Sequence, residues 1–199
     1  MAIGIGNEAS RELWIKFIHG DNDALATLYY EYFDKLLNFG MKYSVNRFVV
    51  EDSIQNVFTD LLKKQSKLQA VENIQFYLLK ALRNQISNDQ RKTKKLTSVA
   101  ETSEIDFRIT YAVENELISK ESDEIQASFL KLVNDTLSDR QKEALYLKYN
   151  CGFDYLEISE IMQISVESVR TMVYRTLKTI KKSFANNSYH NLIFLIVNC

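Results

Sequence analysis

Three groups of residues in this 199-residue chain have types and spacings that suit chemistry or recognition. The first lies where Val50, Ile54, Val57, Phe58 and Leu61 recur at the helical period and turn Glu51, Asp52, Gln55, Asn56 and Thr59 to other faces. Asp52 and Gln55 sit one turn apart. Carboxylate catalysis there would need a second acid in a cleft, or a His, Cys or Ser partner, and none stands at useful spacing. The second group is Lys80, Asn84, Ser87 and Arg91, at i, i+4, i+7 and i+11, with Tyr77 just before it. Cations along a strand's phosphates and a ring for its unstacked bases suit single-stranded DNA, although a lysine-rich helix end on the surface is the plainer reading. The third is Glu167, Ser168, Arg170, Thr171, Tyr174, Arg175 and Lys178 on one helical face. Near the start of that helix Glu167, Arg170 and Thr171 suit base edges in a major groove. Arg175, Lys178, Lys181 and Lys182 suit phosphates. Ser165 and the amides it leaves free suit a backbone phosphate. An ordinary helical hairpin with a solvated basic face is the alternative.

Other chemistries find little support. His19 follows a helix end and His190 lies in a polar tail, so each reads as incidental. Cys151 and Cys199 are too few and too far apart for a disulfide framework or a zinc site, and no phosphate-binding glycine motif occurs. The expectation is no catalytic residue, no metal, no cofactor and no small-molecule substrate. No apolar run approaches the about 18 residues that span a bilayer, and the first residues lack a signal-peptide pattern, which places the chain in the cytoplasm.

The elements that position these groups are helices. Proline is absent and only five glycines occur, so little interrupts helical runs. Leu13, Trp14, Phe17 and Ile18 give a short face ending at His19-Gly20, where Asp21 can cap the next helix. Leu25, Leu28, Tyr29, Tyr32, Phe33 and Leu36 define that second helix up to Gly40. A third begins near Val49, a polar stretch follows from Lys63 to Gln69, and a fourth spans about Asn73 to Lys95 with Ile74, Leu78, Leu82 and Ile86 inward. Later, Ile125, Phe129, Leu132 and Val133 open a second block. Capping boxes follow at Ser138-x-x-Gln141 and Asp154-x-x-Glu157. Tyr155 to Met162, the turn Gln163-Ile164-Ser165, and a helix buried through Val166, Val169, Val173, Leu177, Ile180 and Phe184 read as helix-turn-helix.

Charge divides the chain the same way. From Ser10 to Leu96 there are 14 basic and 10 acidic residues, from Thr97 to Thr136 3 and 9, and from Leu137 to Phe184 8 and 6. Two mildly basic blocks flank an acidic one, and opposite-signed blocks suggest different partners. The expected fold is all-α: two small helical domains, 10–96 and 125–185, joined by an acidic linker at 97–124 and followed by a tail, 186–199, whose apolar run Leu192 to Val197 has no assigned role.

This order of parts resembles a bacterial RNA polymerase sigma factor, more narrowly the extracytoplasmic-function subfamily, which keeps the second and fourth sigma regions. The segments that carry the resemblance are Gly20 to Leu25, Glu51 to Phe58, Tyr77-Leu78 through Arg83-Asn84 to Arg91, Leu137-Ser138 through Tyr155 to Ile158, and Ser165 to Leu177. The resemblance implies a non-enzymatic promoter-specificity factor whose partners are core RNA polymerase, promoter DNA and an antisigma factor. It implies that Asp52 and Gln55, with Glu51 and Thr59 beside them and Phe58 holding the helix, dock on the clamp helices of the polymerase. It places Lys67, Asn73, Tyr77, Lys80, Arg83, Asn84, Asn88 and Arg91 on the unpaired minus-ten strand. It places Ser165, Glu167, Ser168, Arg170, Thr171, Tyr174, Arg175 and Lys178 on the minus-thirty-five duplex. The chain departs from the family at Tyr77, usually Trp, at Asn88, usually Asp, and at Glu167-Ser168, often Gly-Thr. A rival from another class is a stand-alone dimeric helix-turn-helix regulator, which would bind duplex DNA without polymerase and read symmetric half-sites.

Overall fold

Gly20, at φ +109, lets the chain leave the first helix, and Asp21 starts the second by accepting from the Asp23 and Ala24 amides at 3.0 and 3.1 Å. These helices are α1 (Gly4–Ile18) and α2 (Asn22–Gly40) of the computed structural model, which describes residues 4–96, 107, 131 and 133–184. Among the described residues all regular structure is helical, and the chain divides into two units, Met1–Ser103 and Glu104–Cys199.

In the first unit α3 (Arg47–Lys64) and α4 (Ile74–Leu96) follow, separated by a short 3₁₀ turn, Gln65–Lys67. α1 extends well before Leu13, farther than its apolar face indicates, and α3 begins two residues before Val49 because Asn46 caps it through the Phe48 amide at 3.0 Å. Trp14 and Phe17 of α1 bury against Leu28, Tyr32, Leu36 and Phe39 of α2, Val50, Ile54, Val57, Phe58 and Leu61 of α3, and Ile74, Leu78, Leu82 and Ile86 of α4. Each large apolar side chain so removed from water contributes about 1.5–3 kcal/mol. Gly40 does more than end α2. A Cβ there would collide with Val50 Cγ1, so the bare backbone lets the end of α2 lie directly on the start of α3.

In the second unit residues 133–136 are helical and lead into α5 (Asp139–Leu145), which continues as a π turn, Tyr146–Asn150. Gly152, at φ +73, releases the chain toward α6 (Tyr155–Met162). Both capping boxes form: Ser138 Oγ accepts from the Gln141 amide at 3.4 Å and Gln141 Oε1 from the Ser138 amide at 2.9 Å, while the Asp154 and Glu157 carboxylates exchange the same bonds at 2.8 and 3.0 Å. Gln163 takes the left-handed conformation at φ 55, and Ser165 caps α7 (Val166–Phe184) by accepting from the Ser168 amide at 3.2 Å. Val133, Leu137, Leu145, Leu147, Phe153, Ile158, Ile161, Val169, Val173 and Ile180 form the core. Phe107, within the stretch read as linker, is buried, with its ring centroid 5.8 Å from that of Tyr146, so one apolar residue of the acidic segment belongs to the core of this unit. Ile125, Phe129, Leu132, His190, Cys199 and the apolar run Leu192 to Val197 lie outside the described residues.

Candidate nucleic-acid and partner interfaces

α3 carries its exposed residues in a stripe. Phe48, Asp52, Gln55, Thr59 and Leu62 follow at i, i+4, i+7, i+11 and i+14, and all are exposed. Asp52 Oδ2 accepts from Asn56 Nδ2 at 3.0 Å, which orients its carboxylate outward along the helix. Glu51 is half-buried and bound to Arg47 Nε at 2.7 Å, so its charge is engaged within its own helix. Phe58 is buried under the stripe and meets Tyr29 edge-on at 5.0 Å. Sequence reading passed over the two apolar ends of the stripe, Phe48 at 81% exposure and Leu62 at 47%. Their signal is apolar type out of phase with Val50, Ile54, Val57 and Leu61.

The segment between α3 and α4 is held by three side chains. Trp14 Nε1 donates to the Gln69 carbonyl at 2.9 Å, and Gln65 Nε2 donates to the Phe17 carbonyl at 2.7 Å and to Asn22 Oδ1 at 3.0 Å. Asn73 is spent as a cap, accepting from the Phe76 amide at 3.0 Å. Tyr77 is half-buried edge-on against Trp14 at 5.1 Å, and that burial raises its phenol above the ordinary value. Lys67, Asn88 and Arg91 are exposed, while Lys80 and Asn84 are half-buried, Lys80 Nζ lying 5.4 Å from the Phe76 ring centroid. Arg83 differs from the rest. It follows Leu79 by one turn, precedes Ile86 by three residues, and is itself only 4% exposed, so it lies on the buried side of α4, apart from the stripe of Lys80, Asn84, Ser87 and Arg91.

The start of α7 displays the third group. Glu167, Ser168, Arg170, Thr171, Tyr174, Arg175 and Lys178 are all exposed. Ser165, also exposed, is occupied as the helix cap and shares a 2.8 Å hydrogen bond with the Ser168 hydroxyl. Arg170 Nη1 lies 3.2 Å from Glu167 Oε1, and its Cζ lies 5.7 Å from the centroid of the Tyr155 ring. Ser138, Gln141, Glu167, Ser168, Thr171, Met172 and Arg175 line an open groove of about 580 Å³. Arg140 Nη1 donates to the Met162 carbonyl at 3.3 Å and so fixes the end of α6 where the turn begins. A guanidinium fork, a carboxylate and hydroxyls on the first two turns of a helix can read base edges, and the cations beyond can meet phosphates. Among the described residues no group of three or more His, Cys, Asp or Glu could hold a metal ion, and no helix is long and apolar enough to cross a membrane.

Residues 134–180 match the family model for Sigma-70, region 4. That segment, which includes α5, α6 and most of α7, is a sigma-70 region 4 domain. The fold of the chain resembles those of two solved structures, CnrH and the sigma factor RpoE. CnrH, solved in complex with the cytosolic domain of CnrY, aligns at a TM-score of 0.57 and 13% identity over 90% of this chain and 99% of that chain. The sigma factor RpoE from Bartonella quintana, solved with the anti-sigma factor NepR, aligns at 0.55 and 22% identity over 79% of this chain and 94% of that chain. No curated protein sequence matches the chain.

Proposed function

We propose that the chain is a sigma factor of the extracytoplasmic-function kind and directs promoter-specific initiation by dividing the work among its three exposed faces. The α3 stripe, with Asp52 and Gln55 at its centre, Thr59 and the exposed Phe48 along it and Phe58 holding it from below, docks on the clamp helices of core RNA polymerase. Glu51 steadies that helix through Arg47. The α3–α4 segment and α4 capture the unpaired minus-ten strand through Lys67, Lys80, Asn84, Asn88 and Arg91, with Asn73 and Tyr77 shaping the site and Arg83 supporting it from the buried side. α7 reads the minus-thirty-five duplex through Glu167, Ser168, Arg170, Thr171 and Tyr174 and meets phosphates through Arg175 and Lys178, while Ser165 caps the helix. On this reading region 2 occupies residues 10–96 and region 4 residues 125–185, with the acidic segment 97–124 threading the polymerase where nucleic acid otherwise lies. The protein works by binding and not by catalysis, in the cytoplasm and on the nucleoid when polymerase-bound. RpoE is solved in complex with an anti-sigma factor, and on this reading an anti-sigma factor also binds this chain and masks its faces.

The observation that carries this reading is the α7 face: a region 4 helix with seven outward residues suited to DNA, in a chain whose net charge is only −1. A duplex binder acting alone gains its affinity from a strongly basic surface, whereas a subunit of a polymerase borrows most of it. Gel filtration with bacterial core polymerase tests the division of work. The wild-type chain should co-elute, Asp52→Ala with Gln55→Ala should not, and Arg170→Ala with Arg175→Ala should co-elute yet lose promoter-dependent run-off transcripts. A chain that ignores core polymerase and binds duplex DNA tightly by itself would refute the proposal.

A further inference from the structure

Arg170 is held before any DNA arrives. Its Nη1 lies 3.2 Å from Glu167 Oε1 one turn earlier on α7, and its Cζ stands 5.7 Å from the Tyr155 ring centroid. Tyr155 comes from a different element, the first position of α6, and that corner is tied down on both sides. Asp154 before it is locked in the capping box with Glu157, at 2.8 and 3.0 Å. Lys148 Nζ, 4.8 Å from the same ring, donates to the Phe153 carbonyl at 3.1 Å. The ring is thus a fixed surface and the guanidinium is the part that adapts to it. A planar guanidinium on an aromatic ring gains cation–π attraction, and an arginine already confined loses less freedom when its fork meets a base edge. Without ring and carboxylate this exposed side chain would sample more rotamers.

We propose that Tyr155 is a positioning residue for promoter readout: with Glu167 it holds the Arg170 guanidinium in place for the O6 and N7 acceptors of a guanine in the minus-thirty-five major groove. This rests on the reading of α7 given above. Because a bidentate fork distinguishes guanine from other bases whereas phosphate contacts do not, the role of Tyr155 concentrates on one base pair and leaves the salt dependence of binding alone.

The test uses the whole chain reconstituted with core polymerase on templates whose minus-thirty-five element is randomised. The wild-type holoenzyme selects its preferred bases, and Arg170→Ala identifies the position at which preference collapses. At that position Tyr155→Leu should reduce the preference about three- to tenfold and Tyr155→Phe should restore it, both with other positions and the salt slope unchanged, and Glu167→Gln should weaken it in the same place. Glu167→Gln keeps the test decisive should the leucine variant fail to fold. A Tyr155→Leu effect spread evenly over all positions, a phenylalanine variant as poor as the leucine one, or an Arg170→Ala effect with no single position overturns the inference. If the wild-type holoenzyme shows no minus-thirty-five preference, the reading of α7 falls and this inference with it. If Arg170→Ala loses the preference and both Tyr155→Leu and Glu167→Gln keep it, only this inference falls.

Discussion

The indole Nε1 of Trp14 donates to the carbonyl of Gln69 at 2.9 Å, joining residues 55 apart in sequence, and the same indole meets the Tyr77 ring edge-on at 5.1 Å. One buried side chain of α1 therefore fixes both the segment before α4 and the aromatic residue that opens the polar stripe. Trp14→Phe keeps a ring in the core but removes the donor, at about 1 kcal/mol for a lost hydrogen bond. We expect it to co-elute normally with core polymerase yet give weaker permanganate reactivity at unpaired minus-ten thymines in the holoenzyme. Wild-type reactivity would show that the Trp14 bond does not shape strand capture.

Gly40 sets how closely α2 and α3 approach. An added Cβ meets Val50 Cγ1, so Gly40→Ala should destabilise the N-terminal unit by about 1–3 kcal/mol, the usual cost of overpacking. Val50→Ala in the same chain removes the colliding methyl, and thermal melts of the double variant should recover part of the loss. A double variant worse than the sum of the two singles would place the strain elsewhere.

Much of this was legible because the helices are amphipathic and few breakers interrupt them. Val50, Ile54, Val57, Phe58 and Leu61 share one face by period alone, and both capping boxes could be read from residue types three apart. What escaped depended on contacts between distant residues. Arg83 is charged and looked solvent-facing, but its position between Leu79 and Ile86 buries it. Phe107 is one apolar residue in an acidic run, and no local pattern shows that it fills a core beside Tyr146. The π turn Tyr146–Asn150 leaves no periodic signature in five residues. The Tyr155 and Arg170 contact joins two helices through a turn, which spacing within either helix cannot reveal.

The contrast between Arg83 and Arg91 on one helix is testable. Arg91 is exposed, so Arg91→Ala should leave the melting temperature unchanged and reduce the salt slope of holoenzyme binding to promoter DNA by about one. Arg83 is buried, and Arg83→Ala should instead destabilise the fold by about 1–3 kcal/mol through lost packing and partners. Melting curves and salt titrations of the two variants separate these effects, and a reversed pattern would return Arg83 to the strand.

Tyr146 gives the C-terminal unit a dependence on alkaline pH. Burial, reinforced by the nearby Cys151, pushes its phenol above the ordinary 10.0. The folded unit then holds this proton more tightly than the unfolded chain does, so the phenol's contribution to stability is complete below pH 10.0 and is lost as pH rises from there toward the folded value. One proton held only by the folded state costs at most about 1.4 kcal/mol for each pH unit above the unfolded value. Tyr146→Phe removes the phenol, keeps the ring beside Phe107 and leaves Cys151 in place. Thermal melts from pH 8 to 11 should fall less steeply in the variant than in the wild type. Superimposable pH profiles would mean that Tyr146 ionises in the folded unit as readily as in the unfolded chain, and that the Phe107 contact leaves the phenol open to water.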